Sequence, residues 1–433
     1  MKKGVRVLAV MGLAMVLSGC AQSRQAHTES AAAFDEPQYD WGSISGEKLV
    51  IWGIYPEMER SYITKAFDRY QEFTDNELEI VQIPKEEFEQ QVLASVAGEI
   101  EKPDILLSYG GTNIEAFQPD ENFYDFSDAV WVDDLTDTSI NQTVYNGKII
   151  GLPHWEASVS GTLYNKEIFE KYNLEVPETW DDFLDVCRTL KEKEEIPLIV
   201  AGKENWQLMR YLSFAPWRMT KDRFIMDYIG KKETFSENTA AKEGVNLLYT
   251  LGTEGYFQGG FLSTDYTAAT DLFFGGTGCM WYSGSGQISQ ASDMYSKGEL
   301  GFFPVPDVAG QENMETNIPI HGGFGTAFNA QTYDDTMKGF FQYMCENYSD
   351  SCYNDAKVFS PFNDEIPEGL DQMFYDLQPL FETATDAWVS WDDKLDSATL
   401  TNLVDEQQKL AQGKEKPEEF EAAADQFIIN NSK

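Results

Sequence analysis

One stretch of about sixty residues constrains the fold more than anything else in this chain, because short apolar runs alternate in it with helical stripes. Leu49-Val50-Ile51-Trp52 reads as a buried strand, and Tyr62, Ile63, Ala66, Phe67 and Tyr70 then repeat at helical spacing. Leu78 to Ile83 forms a second strand closed by Pro84, and Phe88, Val92, Leu93 and Val96 form a second helical stripe with Gly98 placed to end it. Ile105-Leu106-Leu107 is the third strand. A β-α-β-α-β order demands crossover connections, hence an α/β body with a parallel sheet and helices on its faces. In such sheets ligands sit at the carboxyl ends of strands. Trp52 to Glu57 and Ser108 to Asn113 stand there, which makes Trp52, Tyr55, Glu57, Gly110, Gly111 and Asn113 candidate ligand contacts.

The N-terminus bears on location. Lys2, Lys3 and Arg6 precede an uncharged apolar stretch from Val7 to Leu17, too short to span a bilayer comfortably but suited to a signal peptide. Leu17-Ser18-Gly19-Cys20 follows and resembles the bacterial lipobox, which implies cleavage after residue 19 and lipidation of Cys20. Residues 20–45, polar and alanine-rich without a helical or strand period, read as the lipidated cysteine and a flexible tether. As a coil of about 25 residues the tether would reach roughly 25–30 Å.

Charge excludes several partners. The full chain carries −41, and loss of residues 1–19 with their three basic side chains takes it to −44. Such a surface repels phosphate backbones and anionic headgroups, so nucleic acid is not an expected partner and any membrane contact must come through lipid alone. Cys187, Cys279, Cys345 and Cys352 form no CxxC pair, and three scattered histidines offer no zinc pattern; neither a metal nor a cofactor is expected. The four thiols fit either two disulfides, in any of three connectivities, or buried free cysteines.

Three further segments carry a family resemblance. Tyr145-Asn146-Gly147-Lys148-Ile149-Ile150-Gly151-Leu152-Pro153 is followed by Leu163-Tyr164-Asn165-Lys166-Glu167-Ile168-Phe169, then by Val176-Pro177-Glu178-Thr179-Trp180-Asp181-Asp182-Phe183. Gly301-Phe302-Phe303-Pro304-Val305-Pro306, Gly322-Gly323-Phe324-Gly325 and Pro417-Glu418-Glu419-Phe420 continue the series in order. Together they resemble the family 1 extracellular solute-binding proteins, the maltose-binding-protein-like sugar receptors of ABC importers. The residues also have local reasons: Asn146-Gly147 suits a tight hairpin turn, and Thr179 with Asp182 makes an acidic capping box. The resemblance implies a two-lobed periplasmic-binding-protein-like fold of type II. Each lobe is then a mainly parallel sheet flanked by helices, and hinge strands join the two. The expected lobes are residues 46–157 with 326–360, and 158–325 with 361–433. It also implies a monomer on the outer face of the cytoplasmic membrane, working with permease subunits and closing its lobes on a small solute.

A sugar site needs flat apolar surfaces and polar groups that replace water on hydroxyls. Beyond the strand-end residues above, the candidates are Trp155 and Glu156 at the first crossing, and Lys203 and Trp206 after the apolar run 196–201. Trp281 and Ser283 follow the glycine-rich stretch 275–278, Gly323 lies at the second crossing, and Trp388 and Trp391 lie in a late segment. Asp392 is a further possible hydroxyl acceptor. Gly286 stands where relatives carry a tryptophan, so Trp281 is the expected substitute, approaching at another angle. Two other classes compete. A glycoside hydrolase needs only a carboxylate pair, though no compact catalytic motif singles one out. A receptor for a peptide, polyamine or sugar acid has the same fold: Lys203 or Arg210 in the cleft would favour an anion, and paired carboxylates with aromatics a cation.

Overall fold

The computed structural model describes residues 46–108, 114, 117–311, 317–321, 325–328, 333–384, 388 and 390–430. Cys20, Gly110, Gly111, Asn113 and Gly323 lie outside them.

The opening alternation forms as the pattern predicts. Strand β1 (Lys48–Tyr55) leads through a short 3-10 turn, Glu57–Glu59, into helix α1 (Ser61–Thr74). The five residues of the apolar stripe, Tyr62, Ile63, Ala66, Phe67 and Tyr70, are the buried ones of α1. Strand β2 (Glu77–Pro84), helix α2 (Lys85–Val96) and strand β3 (Ile105–Leu107) follow. Both β2 and β3 pair in parallel with β1. Gly53 lets Met58 fold back over β1, since a Cβ there would collide with the thioether.

A hairpin comes next, β4 (Val144–Tyr145) and β5 (Lys148–Ile149), before β6 (Gly151–Pro153). Its turn residues Asn146 and Gly147 have φ of 48° and 79°, the left-handed pair that such a turn requires. The chain then enters a second sheet through β7 (Ser158–Val159). That sheet holds β8 (Gly161–Asn165), β9 (Leu198–Ile199), β10 (Met280–Tyr282) and β11 (Leu300–Pro304). It returns through β12 (Ile320–His321) to β13 (Gly325–Phe328).

The first sheet has the order β2-β1-β3-β13-β6 and the second β11-β8-β10-β9, each with one strand, β13 or β8, running against the rest. Between them β7 pairs antiparallel with β12, and Ala157 bridges Phe359, so three passages of the chain lie side by side. Two mainly parallel α/β lobes joined by a strand hinge are therefore the observed architecture.

Separate cores hold each lobe. In the first, Ile51, Ile63, Phe67 and Tyr70 pack with Phe340, Phe341 and Met344 from the helix Asp335–Asp350. In the second, Phe183, Leu212, Phe214, Leu248 and Phe420 bring three long helices and the C-terminal helix Pro417–Asn430 together. Thr179 caps the helix Trp180–Glu192 with the reciprocal bonds of a full capping box through Asp182. All four described cysteines are buried free thiols rather than disulfides. Burial raises the pKa of each of them, which suppresses the thiolate.

Candidate functional site

The first crossing, between β6 and β7, places Trp155 and Glu156 at the junction of the lobes. The start of α1 grips this segment. Arg60 donates through Nε to Glu57 at 2.9 Å and through Nη1 to Glu156 at 3.3 Å, and its guanidinium lies 5.0 Å from the Trp155 ring centre. Tyr62 donates its hydroxyl to the other oxygen of Glu156. Burial alone would lower the pKa of Arg60, but Glu156, Tyr62 and Glu57 outweigh it and hold the group above its ordinary value. Burial, and then the charge of Glu156, raise the Tyr62 phenol well above the usual range, so it stays a donor. Tyr348 packs edge-on against Tyr62 at 6.1 Å and donates to the carbonyl of His154, tying the second half of the first lobe to the crossing.

The second lobe contributes a facing set. Tyr266, at the start of the helix Tyr266–Phe274, accepts a bond of 2.7 Å from Gln287 and lies 3.4 Å from the Ser283 hydroxyl. Its ring contacts Trp206 at 5.8 Å and Trp281 at 5.6 Å. Burial raises its pKa, and the charges of Arg60 and Glu156 reach it from across the cleft. Gly286 closes the gap: a Cβ there would stand 3.5 Å from Glu156 Oε1. Its amide donates to Ser158, and Ser285 accepts from the Val159 amide, so the turn 283–287 is pinned to the crossing strand.

A second guanidinium completes the wall. Arg210 sits one helical turn after Trp206 on the helix Asn205–Thr220. It lies 5.3 Å from the Trp206 ring centre and 4.7 Å from that of Trp388, and donates to Asp392 at 2.5 Å and to Ser390.

Contacts at the junction of the lobes gather Glu57, Trp155, Glu156, Trp206 and Ser283, and the other described candidates lie outside this set of contacts. Tyr55 ends β1 with 48% of its surface exposed, and Lys203 is 60% exposed and paired with Asp265 at 3.6 Å. Trp52 packs with Tyr145 against Ile54, Ile83 and Phe88 on the sheet face. Trp281 has no exposed surface and offers no open ring face in this structure. Alternation along β10 sends Met280 and Tyr282 into one core and Trp281 into the opposite one, where it backs Tyr266. Trp388 and Trp391 are buried in the second-lobe core, the latter between Phe224 and Phe235. Arg60, Tyr62, Tyr266 and Gln287 escaped the sequence reading. Arg60 had one signal, its position three residues after Glu57 at a helix start. A cavity of about 380 Å³ bounded by Lys48, Asp104 and Asp334 lies at the amino end of β1, opposite the strand ends that bind ligands in such sheets.

These lobes, hinge and polar–aromatic cleft define a two-lobed solute receptor. The profile of the bacterial extracellular solute-binding proteins matches residues 55–347, and the chain belongs to that family. It is 27% identical over 209 residues to the multiple sugar-binding protein of Streptococcus mutans, covering 47% of this chain and 50% of that one. The chain therefore spans about half the length of the curated relatives it matches, or less. Among solved structures it superposes, at a TM-score of 0.73 and 22% identity, on one from work on xylan utilization by the thermophilic bacterium Caldanaerobius polysaccharolyticus, covering 89% of this chain and 100% of that one. RafE in complex with raffinose aligns at a TM-score of 0.68 and 19% identity, over 88% and 99% of the two chains. The family and RafE are binding proteins, and both neighbours share the two-lobed fold.

Proposed function

We propose that this protein is the receptor of an ABC importer that captures a sugar or oligosaccharide between its lobes and delivers it to the permease. One observation carries the reading. Residues from both lobes and from the crossing between them supply indole faces (Trp155, Trp206) beside fixed hydrogen-bonding groups (Glu156, Ser283, Gln287). Pyranose C–H faces need the first and sugar hydroxyls the second. The sugar-binding relative and the raffinose-bound neighbour are consistent with it.

Binding closes the cleft because contacts from both lobes exist together only in the closed form. The lobes are residues 46–157 with 326–360 and 158–325 with 361–433. Lipid on Cys20 holds this monomer near its transporter, on the outer face of the cytoplasmic membrane, where a net charge of −44 gives no electrostatic hold. A thermal-shift screen across mono- and oligosaccharides, amino acids, peptides and polyamines tests the reading. Stabilisation by a saccharide class is expected. A shift with peptides or polyamines, and none with any saccharide, contradicts it.

A further inference from the structure

We infer that this cleft takes uncharged saccharides and rejects sugar acids, because its two arginines serve as internally neutralised supports for tryptophan rings rather than as anion receptors. The inference rests on the sugar-receptor reading and narrows its substrate class. Arginine in a sugar cleft ordinarily invites a carboxylate, through a bidentate fork. Here each guanidinium has the same two engagements. Arg60 lies on Trp155 and is held by Glu57 and Glu156; Arg210 lies between Trp206 and Trp388 and is held by Asp392 and Ser390. An indole covers the face of each guanidinium; carboxylates engage Nε, Nη1 and Nη2 of Arg60 and Nη1 of Arg210. Lys203 is paired with Asp265.

Among the described residues of the cleft, two cations, Arg60 and Arg210, therefore stand against three carboxylates, Glu57, Glu156 and Asp392, and the set bears a net negative charge. The internal segments outside the described residues contain no lysine or arginine, so they bring no cation to offset it. A ligand carboxylate entering between the lobes would meet Glu57, Glu156 and Asp392 without a guanidinium free of them. A neutral saccharide meets the same groups as hydroxyl acceptors and flat walls.

Calorimetry with galactose, raffinose, stachyose and chitotriose first identifies a neutral binder. That saccharide is then compared with two derivatives in which one CH2OH has been converted to a carboxylate or to the uncharged carboxamide of nearly the same size. The uronate is expected to bind at least about tenfold more weakly than the amide, since one unbalanced like charge roughly 7 Å away, at an effective dielectric constant of about 20, is worth more than that factor. In Asp392→Asn, which releases Arg210, the ratio should shrink severalfold. Equal binding of uronate and amide to the wild type overturns the inference while leaving the sugar reading intact, and so does a ratio unchanged in a folded Asp392→Asn protein. If no saccharide binds, the sugar reading falls and the inference with it.

Discussion

Tyr62→Phe removes one hydroxyl from the cluster that ties α1 to the first crossing, and the structure sets the cost. Tyr62 is buried, its hydroxyl donates to Glu156, and the Glu156 side chain is only 14% exposed. A hydrogen bond to a charged acceptor contributes about 1.5–3 kcal/mol and one between neutral groups about 0.5–1.5 kcal/mol. The ring, with its edge contact to Tyr348, is retained, so no cavity term enters. In a Glu156→Gln background the acceptor oxygen remains without its charge, and the same tyrosine change should cost about 1 kcal/mol less. Urea unfolding of the ligand-free wild type, both single variants and the double variant, fitted with a common m value, yields that coupling energy. A cost of Tyr62→Phe that is the same in both backgrounds to within about 0.3 kcal/mol would refute a charge-assisted contact.

Two more outcomes follow from burial. His154 is buried, and burial lowers its pKa from 6.5 to about 3, against a smaller opposing effect of its bond to the Leu152 backbone. The unfolded chain thus takes up the proton first: the contribution to stability is complete above pH 6.5 and is lost as the pH falls towards 3, by at most about 5 kcal/mol. His154→Gln should flatten the fall in urea midpoint between pH 7 and pH 5, and a profile parallel to wild type would contradict this. Trp281→Ala should destabilise the protein by about 3–5 kcal/mol in denaturant unfolding, as loss of a buried aromatic does; a cost below about 1 kcal/mol would place that ring at the cleft surface instead.

What the sequence revealed and what it hid have physical reasons. Local rules were legible: the stripe from Tyr62 to Tyr70 is the buried face of α1, Asn146-Gly147 takes the left-handed turn, and Thr179 with Asp182 forms its capping box. Each depends on residues a few positions apart. The cleft does not. Arg60, Glu156 and Tyr266 come together from positions separated by about a hundred residues each. An aromatic just past a strand reads the same whether its ring turns to a core or to a ligand, and Trp281 turns inward because of its register in β10. Tyr62 looked like a core residue, and it is one, yet its hydroxyl holds the residue at the crossing.

The central claim is that a saccharide lies against the crossing between the lobes, and Trp155→Ala tests it most directly. The indole is half-buried, packs along the first-lobe core and is backed by Arg60, which leaves part of it open at the crossing. Losing an aromatic wall of this size removes about 1.5–3 kcal/mol of apolar contact, which is roughly tenfold to a hundredfold in affinity. Calorimetry of wild type and Trp155→Ala with the saccharide found by screening should show that loss, in a variant that still unfolds in a single cooperative transition above the assay temperature. An affinity equal to wild type would mean that the ligand is bound elsewhere.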